Sequence, residues 1–381
     1  MPDFKQILTE IAKPAVSEIV SIQRDFIAGN GEIKYKEAGG RSPATIGDEY
    51  SQAIYTKLLN AALGEENIYY KNEEDVSEAE TRANEARKNT AKYRVAIDPI
   101  DGTGNYSGDK SPGRERPPVN RSIEELTGAE WASKSTRPGW GSMVAIQERQ
   151  ENGDWKTVAS SVYESNSQDT PDNLKGKFYV AEEGKQGVSV INLQTGKEEG
   201  VIFAQAQTYP KRVIEGGFPK IPTAPGSQKA IQEFVKGEGD HLVSLNCVAQ
   251  SAVAVLTGQA EGFFQGHPNL HDALSILHLG ESAGLYVAAI DKVDGKSAVE
   301  LKKDSPQYPV FMAATPELAI GMVSKYIEGA GIDPKTVTVR DGNWEEKSFD
   351  KMKSDMLARA GKDVSGAAEL AQQPTTDRKL A

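Results

Sequence analysis

Two aspartates three residues apart, Asp98 and Asp101, lie in the run Asp98-Pro99-Ile100-Asp101-Gly102-Thr103-Gly104-Asn105-Tyr106, directly after the apolar segment 94–97. That segment predicts a short strand, and Gly102-Thr103 the start of a helix, which sets two carboxylates at a strand end beside free backbone amides. Pro99 fixes the turn, the two acids and the Ile100 carbonyl can converge on a hard cation, and the amides of Gly102 and Thr103 can hold a phosphate oxygen. The same letters also suit a plain strand-to-helix turn with capping aspartates.

Charge favours the first option. The 381 residues carry 44 Lys and Arg against 55 Asp and Glu, a net charge of −11. This disfavours a nucleic-acid polymer or an anionic membrane as partner. An anionic small substrate would need local neutralisation, which a divalent cation on clustered carboxylates supplies. The N-terminus carries acids where a secretory leader carries bases, no apolar run approaches membrane-spanning length, and the single cysteine excludes an internal disulfide; together these predict a cytoplasmic protein.

Other chemistry-bearing residues are weaker. His267, His271 and His278 cluster in sequence, but without a Cys or HExxH companion they read as packing or substrate contacts rather than a transition-metal site. Cys247 reads as core filler. No Ser-His-Asp or Cys-His set is evident. Two glutamate pairs compete for a role beside the aspartates: Glu73-Glu74 after a predicted strand at 68–71, and Glu65-Glu66 before it.

The elements that must position these groups follow from periodicity. Helical spacing predicts helices over 4–26, with Pro14 as a kink, and over 46–63, with Ile46, Tyr50, Ile54 and Leu58 as its apolar stripe. Residues 76–92 predict a solvated helix, and 107–138 a long surface loop or lid. Strands at 142–147, 157–163 and 177–181 form a meander. From a strand near 201–204 onward, strands and helices alternate, including strands at 262–264, 285–289 and 310–313, and helices over 249–256, 272–282 and from Thr315-Pro316. This implies an α+β half over 1–185, an α/β half over 186–345, and a polar, mobile tail over 346–381.

The run DPIDGTxNY resembles the signature of the lithium-sensitive, magnesium-dependent phosphatase superfamily, specifically its inositol monophosphatase-like members. His271-Asp272-Ala273 through Glu281-Ser282-Ala283-Gly284 is similar to the family's second metal motif, and Gly258 to Phe264 to its glycine-rich lead-in. Glu73-Glu74 resembles its upstream acidic pair, and Asp48 the aspartate that orients the motif threonine. The resemblance implies a layered αβαβα sandwich of the inositol monophosphatase and fructose-1,6-bisphosphatase type. It further implies two or three Mg²⁺ ions, with Mn²⁺ able to substitute, held by Glu74, Asp98, the Ile100 carbonyl, Asp101 and Asp272. Thr103, Glu73, Glu74 and Asp48 would serve an attacking water, Gly102 and Thr103 the phosphate, and Asn246, Cys247, Gln265 and His271 the substrate wall.

Four residues at three places depart from the family pattern: His271 stands where a Trp is usual, Asn246-Cys247 where small residues are, and Gln265 where a Glu contacts inositol hydroxyls. The implied activity is hydrolysis of a small phosphate ester, inositol-phosphate-like or a sugar phosphate. The alternatives are 3′-phosphoadenosine 5′-phosphate, fructose 1,6-bisphosphate, or a non-catalytic relative used for binding. A homodimer is compatible with this reading.

Overall fold

A computed structural model describes residues 2–31, 33–35, 43–74, 77–108, 116–131, 137–204, 207–216, 224–266, 268–297, 299–302 and 305–361. Two seven-strand paths dominate it. The first sheet runs Ile68–Asn72, Tyr93–Asp101, Gly141–Arg149, Trp155–Glu164, Lys177–Glu182, Val188–Asn192, Lys197–Ile202 in spatial as in chain order. Its first pair is parallel and the rest antiparallel.

The second sheet runs His241–Val243, Arg212–Glu215, Gly262–Gln265, Val310–Ala313, Tyr286–Val293, Val337–Arg340, Glu346–Ser348. It is parallel among its first three strands and antiparallel beyond.

Strand alternation decides which layers meet. Val95 and Ile97 enter a core with Leu8, Ile19, Tyr55 and Leu59 of the helices Phe4–Ile27 and Ile46–Leu63. Ala96, Met143 and Ala145 face the other way, into a core with the helices Val248–Leu256 and Leu270–Ala283. Those two helices are buried nearly all round because both their faces are covered: Phe263, Val287 and Met312 of the second sheet reach the same core. Phe264, Ala288 and Phe311 point to the far side, against the helices Ala224–Gly237, Pro316–Gly329 and Phe349–Arg359. The order is helix, sheet, helix, sheet, helix, the five layers expected.

Several boundaries differ from expectation. The strand expected near 201–204 in the second half is Lys197–Ile202, the last of the first sheet, so that sheet extends past residue 185. The expected tail contains the strand Glu346–Ser348 and a helix whose Phe349, Met352, Met356 and Leu357 are buried. Its apolar residues are few, but their helical spacing gives one face enough burial to dock. Residues 362–381 lie outside the described residues.

The loop expected at 107–138 is in part packed structure: a 3₁₀ turn at Ile123–Glu125 and a short helix at Gly128–Trp131 bury Ile123, Leu126 and Trp131 in the central core. The Arg212 guanidinium lies 4.2 Å from the Trp131 ring. Residues 109–115 and 132–136 lie outside the described residues. The solvated helix is Glu78–Arg87, and no residue of it is buried. Among the described residues no helix is long and apolar enough to cross a membrane.

The second helix shows why a pattern of greasy residues can mislead. Ile46 and Tyr50, expected inside, are exposed. Gly47, Asp48, Ser51 and Gln52 are buried in their place, since this end of the helix faces polar partners rather than the apolar core.

Candidate metal centre

Residue by residue, the site grows from the strand Tyr93–Asp101. Its pairing with Gly141–Arg149 slips between Asp98 and Asp101, where Pro99 and Ile100 form a bulge. Proline cannot donate to the ladder, and a bulge re-aims the side chains that flank it. The aspartates therefore belong to the strand itself rather than to a turn beyond it, and both carboxyls feel Asp272. Gly102 follows at φ +81°, where a Cβ would also stand 3.1 Å from Cys247 Cβ and Sγ.

Glu73 and Glu74 continue from the neighbouring parallel strand, and the Glu73 amide donates to the Ile97 carbonyl at 3.1 Å. Gln52 holds the next peptide by its ends, accepting from the Glu74 amide at 2.9 Å and donating to the Glu74 carbonyl at 3.1 Å. Side-chain ligand atoms of Glu73, Asp98 and His271 lie within 4.8 Å of one another, and so do those of Asp48, Glu73 and Glu74. Glu73 belongs to both groups. The metal role expected of Glu74 thus has Glu73 as the better-placed candidate, because Glu73 borders Asp98. The competing pair Glu65 and Glu66 is exposed on a 3₁₀ turn.

Asp48 and Asp272 come from helix starts, each as the third helical residue of a capping box. Asp48 Oδ2 accepts from the Thr45 amide and hydroxyl, each at 2.7 Å. Its Oδ1 lies 3.4 Å from Thr103 Oγ1, which donates more closely to the Ile100 carbonyl at 2.8 Å. Asp272 Oδ2 accepts from the Asn269 amide at 3.1 Å, and its Oδ1 stands 3.5 Å from His271 Nε2. The threonine and asparagine three residues upstream were the readable signal for this positioning, and the sequence reading passed over them.

Asp101 Oδ2 receives the Ala249 amide at 2.6 Å, from the start of the helix Val248–Leu256, and the Cys247 thiol at 2.9 Å. Cys247, expected on the substrate wall, therefore holds a carboxylate. Asn246 before it has φ 56°. Gln265, expected on that wall too, lies against Gly216, where an added Cβ would come within 2.9 Å of its Oε1. His278 is remote in role: its Nδ1 pairs with Ser160 Oγ at 2.8 Å inside the core, and burial pulls its imidazole down to about 4. His267 lies outside the described residues.

The electrostatics are those of carboxylates crowded out of water. Burial, then the charges of Glu73, Asp272 and Asp101, hold the Asp98 carboxyl well above the usual range. Burial and Asp272 push Asp101 up to about 7, and burial and Glu73 push Asp48 up to about 8. Burial raises Asp272 too, with His271 opposing. Asp98 Oδ1 is buried and accepts no hydrogen bond. Carboxylates packed this closely, with an orphaned oxygen among them, fit a divalent cation: opposite charge is what such a cluster lacks.

Cys247 offers a first test. Burial and Asp101 push its thiol up, which keeps it a neutral donor. Cys247→Ala removes one of two donors that orient Asp101 and is expected to weaken cation binding about 10-fold, as losses around a ligand do. Cys247→Ser should restore it. Titration calorimetry reads both, and equal affinity in all three proteins would deny Cys247 this role.

No protein-family model and no curated protein matches the sequence. Solved structures do. The extragenic suppressor protein SuhB from Bartonella henselae aligns with TM-score 0.53 and 16% identity, covering 83% of this chain and 96% of its own. An IMPase/NADP phosphatase, solved with NADP and Ca²⁺, aligns with TM-score 0.51 and 15% identity, covering 82% and 93%. At such identities the likeness is one of fold, and chemistry has to be argued from the site.

Proposed function

We propose that this chain, folded as the inositol monophosphatases are folded, is an inositol monophosphatase-like enzyme that hydrolyses a small phosphomonoester with the help of divalent cations. The observation that carries the reading is the convergence of Glu73, Asp98, Asp101 and Asp272, from the end of one strand, the bulge of its neighbour and the start of a helix, with Asp98 Oδ1 left without a donor. A protein spends stability on crowded carboxylates only where function requires them.

In this reading Glu73, Asp98, the Ile100 carbonyl, Asp101 and Asp272 would hold the ions. Bound divalent cations supply charge neutralisation for the ester and for the oxygen that departs. The chain's own groups do the rest. The amides of Gly102 and Thr103 bind phosphate oxygens, Thr103 Oγ1, placed between Asp48 and the Ile100 carbonyl, orients water, and Asp48 takes up its proton. The last role suits its position, since Asp48 Oδ1 faces Thr103 Oγ1 at 3.4 Å. The binding-only alternative is disfavoured because Asp98, Asp101, Thr103 and Asp272 are all intact.

The test is a panel of phosphate esters, including inositol, sugar and nucleotide phosphates, assayed with Mg²⁺, with Mn²⁺ and with chelator. Turnover of at least one ester that stops in chelator and returns with cation is expected. Undiminished turnover in chelator would sink the reading. Within the panel, Gln265 predicts that myo-inositol 1-phosphate is not the best substrate. An amide offers one acceptor and one donor group where a carboxylate offers two acceptors, and such a mismatch costs about 1–3 kcal/mol. Gln265→Glu should raise kcat/KM for that ester relative to the preferred one, and an unchanged ratio would place Gln265 away from the substrate.

A further inference from the structure

We propose that His271 is a nitrogen ligand of the cation centre, and that the centre consequently selects Mn²⁺ over Mg²⁺. The inference rests on the cation-dependent reading above and departs from the all-oxygen ligand set that the sequence implied.

Geometry supports it from three sides. His271 is the second residue of the helix Leu270–Ala283, whose first turn is pinned by the mutual bonds of Asn269 and Asp272. Its ring is thereby held beside Asp272 and is buried, with 8% of the residue exposed. A ring nitrogen stands within 4.8 Å of carboxylate oxygens of both Glu73 and Asp98.

The second side is what the imidazole does not do. Its Nε2 is 3.5 Å from Asp272 Oδ1, longer than a charge-assisted hydrogen bond. The orphaned Asp98 Oδ1, on a residue only 3% exposed, accepts no hydrogen bond from His271 or from any other described residue. A histidine whose purpose was to neutralise the cluster would close on one of these oxygens. Instead its ring nitrogen and the oxygens of Glu73 and Asp98 stand together within 4.8 Å, a spacing that one shared ion can bridge.

The third side is donor chemistry. Mg²⁺ takes oxygen ligands and gives up its waters reluctantly, whereas imidazole nitrogen suits the first-row transition metals. Carboxylates with one imidazole and no thiolate match Mn²⁺ better than zinc, whose structural sites are rich in thiolate.

The test titrates Mn²⁺ into metal-free, full-length protein and records electron spin-echo modulation together with competition by Mg²⁺. Wild type is expected to show ¹⁴N coupling to bound Mn²⁺ and to bind Mn²⁺ at least about 10-fold more tightly than Mg²⁺. His271→Gln should lose the coupling and most of that preference while still binding both ions. Wild type grown on ¹⁵N-histidine must shift the modulation to the ¹⁵N frequency, a check that needs no variant to fold. Mn²⁺ bound without nitrogen coupling, or an unchanged Mn²⁺ to Mg²⁺ ratio in His271→Gln, overturns the inference and leaves the phosphatase reading standing. Failure of wild type to bind either ion overturns both.

Discussion

Glu73→Gln is expected to lower kcat/KM for ester hydrolysis by more than about 100-fold, beyond the 10- to 100-fold typical of residues that merely support a ligand. The reason is position. Glu73 alone is common to the group with Asp98 and His271 and the group with Asp48 and Glu74. Glu74 is gripped by Gln52 through its main chain, which a side-chain amide leaves in place. Glu74→Gln should therefore cost less than Glu73→Gln, and Glu66→Gln, on an exposed turn, should cost nothing measurable. Steady-state kinetics on the three variants, with melting curves to confirm folding, decide the order. A silent Glu73→Gln beside a dead Glu74→Gln would move the ligand by one residue and leave the site otherwise intact.

Asp98→Asn is expected to abolish activity and at the same time to raise the melting temperature of the metal-free protein. An asparagine relieves the repulsion among Asp98, Glu73, Asp272 and Asp101 and forgoes the burial of a charge. The same repulsion fixes a pH dependence. Asp48 titrates near 8 and Asp101 near 7 in the folded chain, against 3.8 for an ordinary aspartate. Between those values the native state keeps protons that the unfolded chain has released, so stability is greatest at the acid end and falls as pH rises from about 4 to about 8.

Saturating divalent cation should flatten that slope, since a cation binds the deprotonated carboxylates and stabilises the native state more as pH rises. Melting curves in chelator and in cation, at pH 5 and pH 8, provide the measurement. A chelator-treated protein as stable at pH 8 as at pH 5 would mean that the carboxylates are not buried together.

Much of the site could be read from the sequence because its key residues sit on local rules. Asp98 and Asp101 are three apart around a proline, and Asp272 opens a helix. What resisted reading was long-range. Nothing near Cys247 in the sequence announces that its thiol meets Asp101, 146 residues away. Nothing in a helix written Ile46-Gly-Asp-Glu-Tyr50 says that the polar face turns inward, because the choice is made by Thr103 and Glu74 on other elements. The strand Lys197–Ile202 was read only at its end, near 201–204, for a different reason: it is polar until its last two residues and is held by ladder bonds to Val188–Asn192 rather than by burial.

That polar strand bears on how the protein behaves when concentrated. The free margin of a sheet is a template on which another chain can grow, and each margin of the two large sheets is blunted here. Lys197–Ile202 presents Lys197, Glu198 and Glu199, and Glu198 is engaged by Lys5. Glu346–Ser348 and His241–Val243 are only three residues long. At the remaining margin the Asn84 carboxamide accepts from the Tyr70 amide at 2.8 Å and donates to the Tyr70 carbonyl at 2.9 Å, taking the place of a neighbouring strand's peptide. Copies of this chain should consequently resist strand-by-strand polymerisation, and a dimer would have to form through side-chain surfaces. Asn84→Ala exposes one peptide of that margin and is the single change expected to make the protein more prone to aggregate without touching its carboxylates.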